Sequence, residues 1–197
     1  CRVAFLYTQN FAVPWDDDTQ YFPYMKDWKM LYLDTASSTA VATEYLFRCG
    51  CRRPLLFAQY LDDVTNMRLS GFRAAGGRLW ARIPEAVNTL AALREATKKA
   101  YDEYRFDGLV ISMTADTEPD YRYSLARTLG IPEETRIVSL EKFDFCAKLT
   151  PRVPYTTWDY NRITREAVEA LLSNGRAHED RRYQAALETF QNGEARL

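Results

Sequence analysis

Two short runs, Pro54-Leu55-Leu56-Phe57-Ala58 and Gly108-Leu109-Val110-Ile111-Ser112, are apolar almost without interruption. A strand with no polar face has to be covered on both sides, and strands of that kind occur in parallel sheets flanked by helices. The segments around these runs have helical spacing. One helix runs to about Cys49, with Ser37 or Ser38 able to cap it, and a second at 65–75 is stopped by Gly76-Gly77. A third at 88–104 is capped by Asn88 and carries Leu90, Leu93, Thr97 and Tyr101 on one stripe.

Further strands are predicted at 3–7, 30–33, 78–83, 136–140 and 182–190, and further helices at 119–129 and 162–173. Strand and helix thus alternate from Met30 to Leu140, which predicts right-handed crossovers and a mostly parallel sheet with helices on both faces. Residues 8–29 form a long aromatic and acidic loop, including Trp15-Asp16-Asp17-Asp18. Loops of that length tend to be functional or to cover something. The chain opens directly into its first strand without a starting Met, so further residues are expected upstream. That start also leaves Cys1 no tether for a lipid anchor.

Charge and composition remove several classes of function. Lys and Arg total 26 against 27 for Asp and Glu, a net charge of −1. A chain so near neutrality lacks the accumulated positive charge that binding to phosphate backbones requires. No apolar run approaches the roughly 20 residues that cross a bilayer, and no signal segment opens the chain. No glycine-rich phosphate loop is present. Four cysteines (Cys1, Cys49, Cys51, Cys146) and one histidine (His178) do not make the paired spacings of a zinc site, and they read as reduced thiols. His178 lies in a charged stretch and reads as solvated rather than catalytic.

In open parallel sheets ligands bind outside the carboxyl ends of the strands. The positions just past each strand are therefore the candidates: Asp34, 59–63, 112–116, 141–144 and 158–160. Asp62-Asp63 could serve a metal or a general base, or could simply favour the helix dipole at the start of the next helix. Arg68 offers a planar fork suited to hydroxyl pairs or carboxylates. Asp144, between Phe143 and Phe145, stands in an apolar setting where a carboxylate needs partners.

The order of these pieces resembles the effector domain of the LacI/GalR family of transcriptional repressors. Leu33-Asp34, the helix through Tyr45-Leu46, and Gly50-Cys51-Arg52-Arg53-Pro54-Leu55 are similar to that family's strand, Asp, helix and Gly-His-Arg-Arg segment. The family's Arg-x-x-Gly-Phe is matched by Arg68-Leu69-Ser70-Gly71-Phe72. Its strand ending in Asn-Asp resembles Leu109-Val110-Ile111 leading to Ala115-Asp116. Gly130-Ile131-Pro132 onward to Val138 and Phe143-Asp144, then Pro154-Tyr155-Thr156-Thr157 before a helix, complete the series.

The resemblance implies an α/β, type I periplasmic-binding-protein-like fold of two lobes that close on a small molecule. Residues 36–157 would form a complete C-terminal lobe, and 1–35 with 158–197 the crossings and the remaining pieces of the other lobe. It implies effector contacts from Arg68, Asp116 and Asp144, with Tyr160 lining the pocket; Asp62 is a further ligand-binding candidate, and Trp80 is a candidate stacking aromatic whose position also suits a core residue. Ala115 stands where the family has Asn, Tyr160 where Gln is common, Cys51 for His, Lys142 for Gly, and Phe145 for a second Asp. A methyl and a phenol in place of two amides suggest a ligand with more apolar surface than a plain hexose. The function implied is cytoplasmic, non-enzymatic sensing by a homodimer of a sugar or related effector, without a cofactor. DNA would be held only by a helix-turn-helix outside this chain. Two alternatives share parts of this reading: a periplasmic binding protein of a sugar importer, and an enzyme using a metal on Asp62, Asp63 and Asp116.

Overall fold

The computed structural model describes residues 4–7, 29–58, 63–84, 87, 89–112, 119–172, 181–191 and 194–196. Among them are ten strands: β1 (Ala4–Tyr7), β2 (Lys29–Asp34), β3 (Pro54–Ala58), β4 (Leu79–Arg82), β5 (Gly108–Ile111), β6 (Arg136–Ser139), β7 (Tyr155–Thr157), β8 (Arg181–Gln184), β9 (Ala186–Gln191) and β10 (Glu194–Arg196). Six helices accompany them: α1 (Thr35–Arg48), α2 (Asp63–Ala74), α3 (Leu90–Tyr104), α4 (Leu125–Leu129), α5 (Asp144–Lys148) and α6 (Tyr160–Leu172). The 8–28 loop and His178 lie outside the described residues.

The strands form two sheets. The larger has the order β10-β9-β7-β6-β5-β3-β4, parallel from β4 through β7 and antiparallel at β9 and β10. The smaller, β1-β2-β8, is parallel throughout.

The uninterrupted apolar runs do what their composition requires. Successive residues of a strand point to opposite faces, and here both faces are covered. Leu55, Phe57, Leu109, Ile111 and Ile137 join one core with Leu93, Ala100, Phe106, Leu125 and Leu129 from α3, α4 and their flanks. Leu56, Ala58, Val110 and Val138 join another with Ala42, Leu46 and Phe72 from α1 and α2. On the smaller sheet α6 packs against β1 and β2. Its Ile163 is fully buried with Leu33, Tyr183, Ala185 and Trp158.

Several boundaries differ from expectation for physical reasons. The cap of α1 is Asp34, whose carboxylate accepts from the Ser37 N–H at 3.2 Å. Ser37 instead donates its hydroxyl to the Asp34 carbonyl at 2.6 Å. Thr89, not Asn88, caps α3, accepting from the Ala92 N–H. The helix expected at 119–129 is only the five-residue α4. Upstream of it, Asp120 accepts from the Arg122 N–H at 3.0 Å and holds a turn, so the helix starts from its Ser124 cap. The single strand expected at 182–190 is two, β8 and β9, on different sheets with Ala185 between them. β9 and β10, within the stretch 158–197, pair with the larger sheet.

Candidate functional site

The Arg-x-x-Gly-Phe segment positions the first candidate. A Cβ at Gly71 would lie 1.8 Å from the Ala36 carbonyl oxygen and 2.6 Å from Thr39 Oγ1, so only glycine lets α2 approach α1 this closely. Phe72 is fully buried beside it. The Thr39 hydroxyl donates to the Arg68 carbonyl at 2.7 Å and fixes the two helices in register. Held in this way, the Arg68 side chain is buried and directed to the carboxyl ends of β5 and β6.

Glu141 meets it there. Two residues beyond β6, Glu141 is held by a tight turn in which the Ser139 hydroxyl donates to its carbonyl at 2.7 Å and accepts from its N–H at 3.3 Å. Glu141 Oε1 accepts from Arg68 Nη2 at 2.6 Å and from the Ser112 hydroxyl at 2.8 Å. The side chains of Arg68 and Glu141 are 9% and 21% exposed, so this ion pair is shielded from the water that weakens surface pairs. Buried Arg68 Nε has no hydrogen-bond partner among the described residues. An orphaned buried donor is costly, about 1–3 kcal/mol, and such groups call for an explanation.

Of the residues singled out from sequence, Arg68 joins this group and Asp144 does not. Asp144 is exposed at the first position of α5. Phe143 and Phe145 stack on each other, ring centroids 5.1 Å apart, with Phe145 buried; the carboxylate between them faces outward. Glu141 takes the place expected of it. Tyr160 opens α6 and is 48% exposed, its phenol raised above the ordinary range by desolvation. Asp62, Asp116 and Ala115 lie outside the described residues. Trp80 is half-buried in β4 and packs against the core beneath α1 and α2.

Glu141 fell within the 141–144 candidate stretch but was not singled out there. The signal was its position, among the first residues after an apolar strand, on the rim where α/β sheets bind ligands. Among the described residues no three His, Cys, Asp or Glu side chains stand together to hold a metal ion. The Cys51 and Cys146 thiols are buried, and desolvation pushes each up to about 11. No helix among the described residues is long and apolar enough to cross a membrane.

One cavity of about 710 Å³ opens far from this group, at the amino end of β6, lined by Arg136, Ile137, Ser124, Leu149, Arg152 and Phe190 among others. Its charged lining residues Glu133, Glu134, Arg136 and Arg152 are exposed, and its buried Ser124 is taken up in capping α4. The Arg68–Glu141–Ser112 group instead brings a shielded ion pair and a hydroxyl together, as specific small-molecule sites do.

No protein-family model matches the sequence, and no curated protein does. Solved structures do match in three dimensions. A LacI-family regulatory protein from Chloroflexus aggregans superposes with a TM-score of 0.70 at 17% identity, covering 99% of this chain and 77% of that one. A sugar-binding LacI-family regulator from Escherichia coli, solved with phosphate, gives 0.68 at 15% identity over 93% and 74%. This is the LacI-family, periplasmic-binding-protein-like fold. A third LacI-family regulator, from Enterococcus faecium with bound ribose, gives 0.63 at 14% identity over 94% and 77%. At these identities the likeness is one of fold, and this chain spans about three quarters of each of the three proteins.

Proposed function

We propose that this chain is the ligand-sensing domain of a LacI-type regulator and not an enzyme. The observation that carries the reading is the buried Arg68–Glu141–Ser112 group at the carboxyl ends of β5 and β6. A buried guanidinium with its Nε unpartnered among the described residues is a binding group in a position where this architecture receives ligands. Glu141 already offsets its charge, which favours an uncharged, hydroxyl-bearing ligand over an anion. Sugars fit that description, and the relatives solved with ribose and with cellobiose bind molecules of that kind.

Asp62, Asp116 and Tyr160 are the proposed companions of Arg68, and Glu141 replaces Asp144 as its carboxylate. Residues 36–157 would move as one lobe against the smaller sheet as the ligand is enclosed. DNA contact would belong to a segment outside this near-neutral chain, and the sensing unit would act as a homodimer.

Calorimetric titration of the purified chain with D-ribose, cellobiose and inorganic phosphate tests the reading. Binding of a sugar, lost in Arg68→Ala, is the expected result. Tight binding of phosphate alone, or sugar binding indifferent to Arg68, would sink it.

A further inference from the structure

A second buried donor waits at the same rim. Trp158 follows β7 directly and is 7% exposed, and its indole Nε1 has no hydrogen-bond partner among the described residues. Strand register gives its location. Ser139 of β6 pairs with Tyr155 of β7, and the Thr156 hydroxyl donates to the Leu140 carbonyl at 2.8 Å. In a parallel pair this puts Thr157 level with Glu141 and Trp158 one residue further along, at the same end of the larger sheet. The indole ring packs on Leu33, Tyr183 and Ala185, which end or follow the smaller sheet's β2 and β8. Trp158 therefore lies where the two sheets are joined, at the same end of the larger sheet as Glu141.

The ring packs on the apolar side chains of Leu33, Ile163 and Ala185 and meets Tyr160 edge-on, centroids 6.4 Å apart. A phenyl ring in its place would carry no donor to leave unsatisfied. Indole N–H groups in protein interiors usually find an acceptor, because burial without one is unfavourable. The two orphans, Arg68 Nε on one side and Trp158 Nε1 on the other, make the same demand: oxygen acceptors that the described residues do not provide.

We propose that Trp158 is a specificity-determining residue of the ligand site, donating its indole N–H to an oxygen of the bound molecule from the side where the sheets join. This rests on the sensing function proposed above and adds to it a contact on the junction between the sheets. A ligand held by both donors touches the larger lobe and the linkage together, so its binding is coupled to the angle between the sheets.

The test compares the chain with Trp158→Phe, which keeps the ring and removes the donor. The ¹⁵N-indole spectrum, with the Trp158 resonance identified by its loss in the variant, should show a fast-exchanging N–H without the downfield shift of a hydrogen bond. A slowly exchanging, downfield N–H in the ligand-free chain would overturn the proposal without reference to any ligand. In calorimetry with D-ribose and cellobiose, the sugar that binds should bind roughly three- to tenfold more weakly to W158F, the loss of one neutral hydrogen bond. The ligand-free melting temperature should be unchanged or higher. Equal sugar affinity in W158F and the parent would overturn the role of Trp158 while leaving the sensing reading intact. Binding of neither sugar would overturn both.

Discussion

Ser37 Oγ accepts a hydrogen bond from the Ala185 N–H at 2.7 Å, joining the first turn of α1 to the single residue between β8 and β9. The same hydroxyl donates to the Asp34 carbonyl, so one side chain ties together two of the three places where the chain passes between the sheets. The third, Trp158, packs on the same cluster.

Removing this tie leaves a partly buried amide without an acceptor. Ser37→Ala is expected to lower stability by about 1–2 kcal/mol, read as a reduced urea midpoint. The Ala185 amide should also exchange with deuterium faster than its neighbours in β9. Unchanged exchange at Ala185 would show that the contact does not hold the junction.

Close approach of α1 and α2 at Gly71 makes a sharper prediction. Gly71→Ala places a methyl inside the van der Waals radius of the Ala36 carbonyl, so the helices must part and Phe72 must move with them. Overpacking of this kind costs about 1–3 kcal/mol or more, and thermal unfolding should show it. Because Arg68 rides on the same helix, sugar affinity in calorimetry should fall alongside stability. Glu44→Ala, on the exposed face of α1, is the matched control and should change neither.

The Arg68–Glu141 pair predicts strong non-additivity. Glu141→Ala strands a buried guanidinium and is expected to cost about 3 kcal/mol, the low end for breaking a buried pair, since Glu141 keeps some solvent contact. Replacing both, Arg68→Met with Glu141→Leu, should cost much less than the sum of the single changes. Urea denaturation of the four proteins in the cycle measures this directly. Additive effects would mean that the pair is not an energetic unit.

Alkaline stability should report the buried thiols. Burial raises Cys146 from 9.0 to about 11 in the folded chain. Between those values the unfolded thiol has lost its proton while the folded one keeps it, so stability is full below pH 9 and declines as pH rises toward 11. Cys51 behaves alike, its burial reinforced by the nearby Asp107 carboxylate. Unfolding midpoints in C146A should fall less steeply across that window. In the folded chain near pH 8, half-buried Cys49 should be alkylated well before Cys51 or Cys146.

The fold was legible wherever local pattern and tertiary environment agree. Leu55 through Ala58 and Leu109 through Ile111 read as doubly covered strands because they are, and Gly76-Gly77 stops α2 as its φ of +91° at Gly76 demands. Legibility failed where pairing is decided at a distance. Nothing local distinguishes Tyr183 from Leu187, yet one belongs to the smaller sheet and the other to the larger. In the site, Arg68 was legible through the Gly-Phe that follows it. Its partner was not, because Glu141 and Asp144 fall in the same short stretch past β6, and it is the Ser139 turn that holds Glu141 toward Arg68 while Asp144 is exposed at the start of α5.

The links between the sheets set what movement is open to them. β2 passes into α1 with no residue between, β8 into β9 through Ala185 alone, and β7 into α6 through Trp158 and Asp159. At about 3.5 Å of reach per residue, the first two of these spans cannot absorb a translation of one helical turn, about 5.4 Å. The sheets can tilt about this seam, but they cannot slide along it.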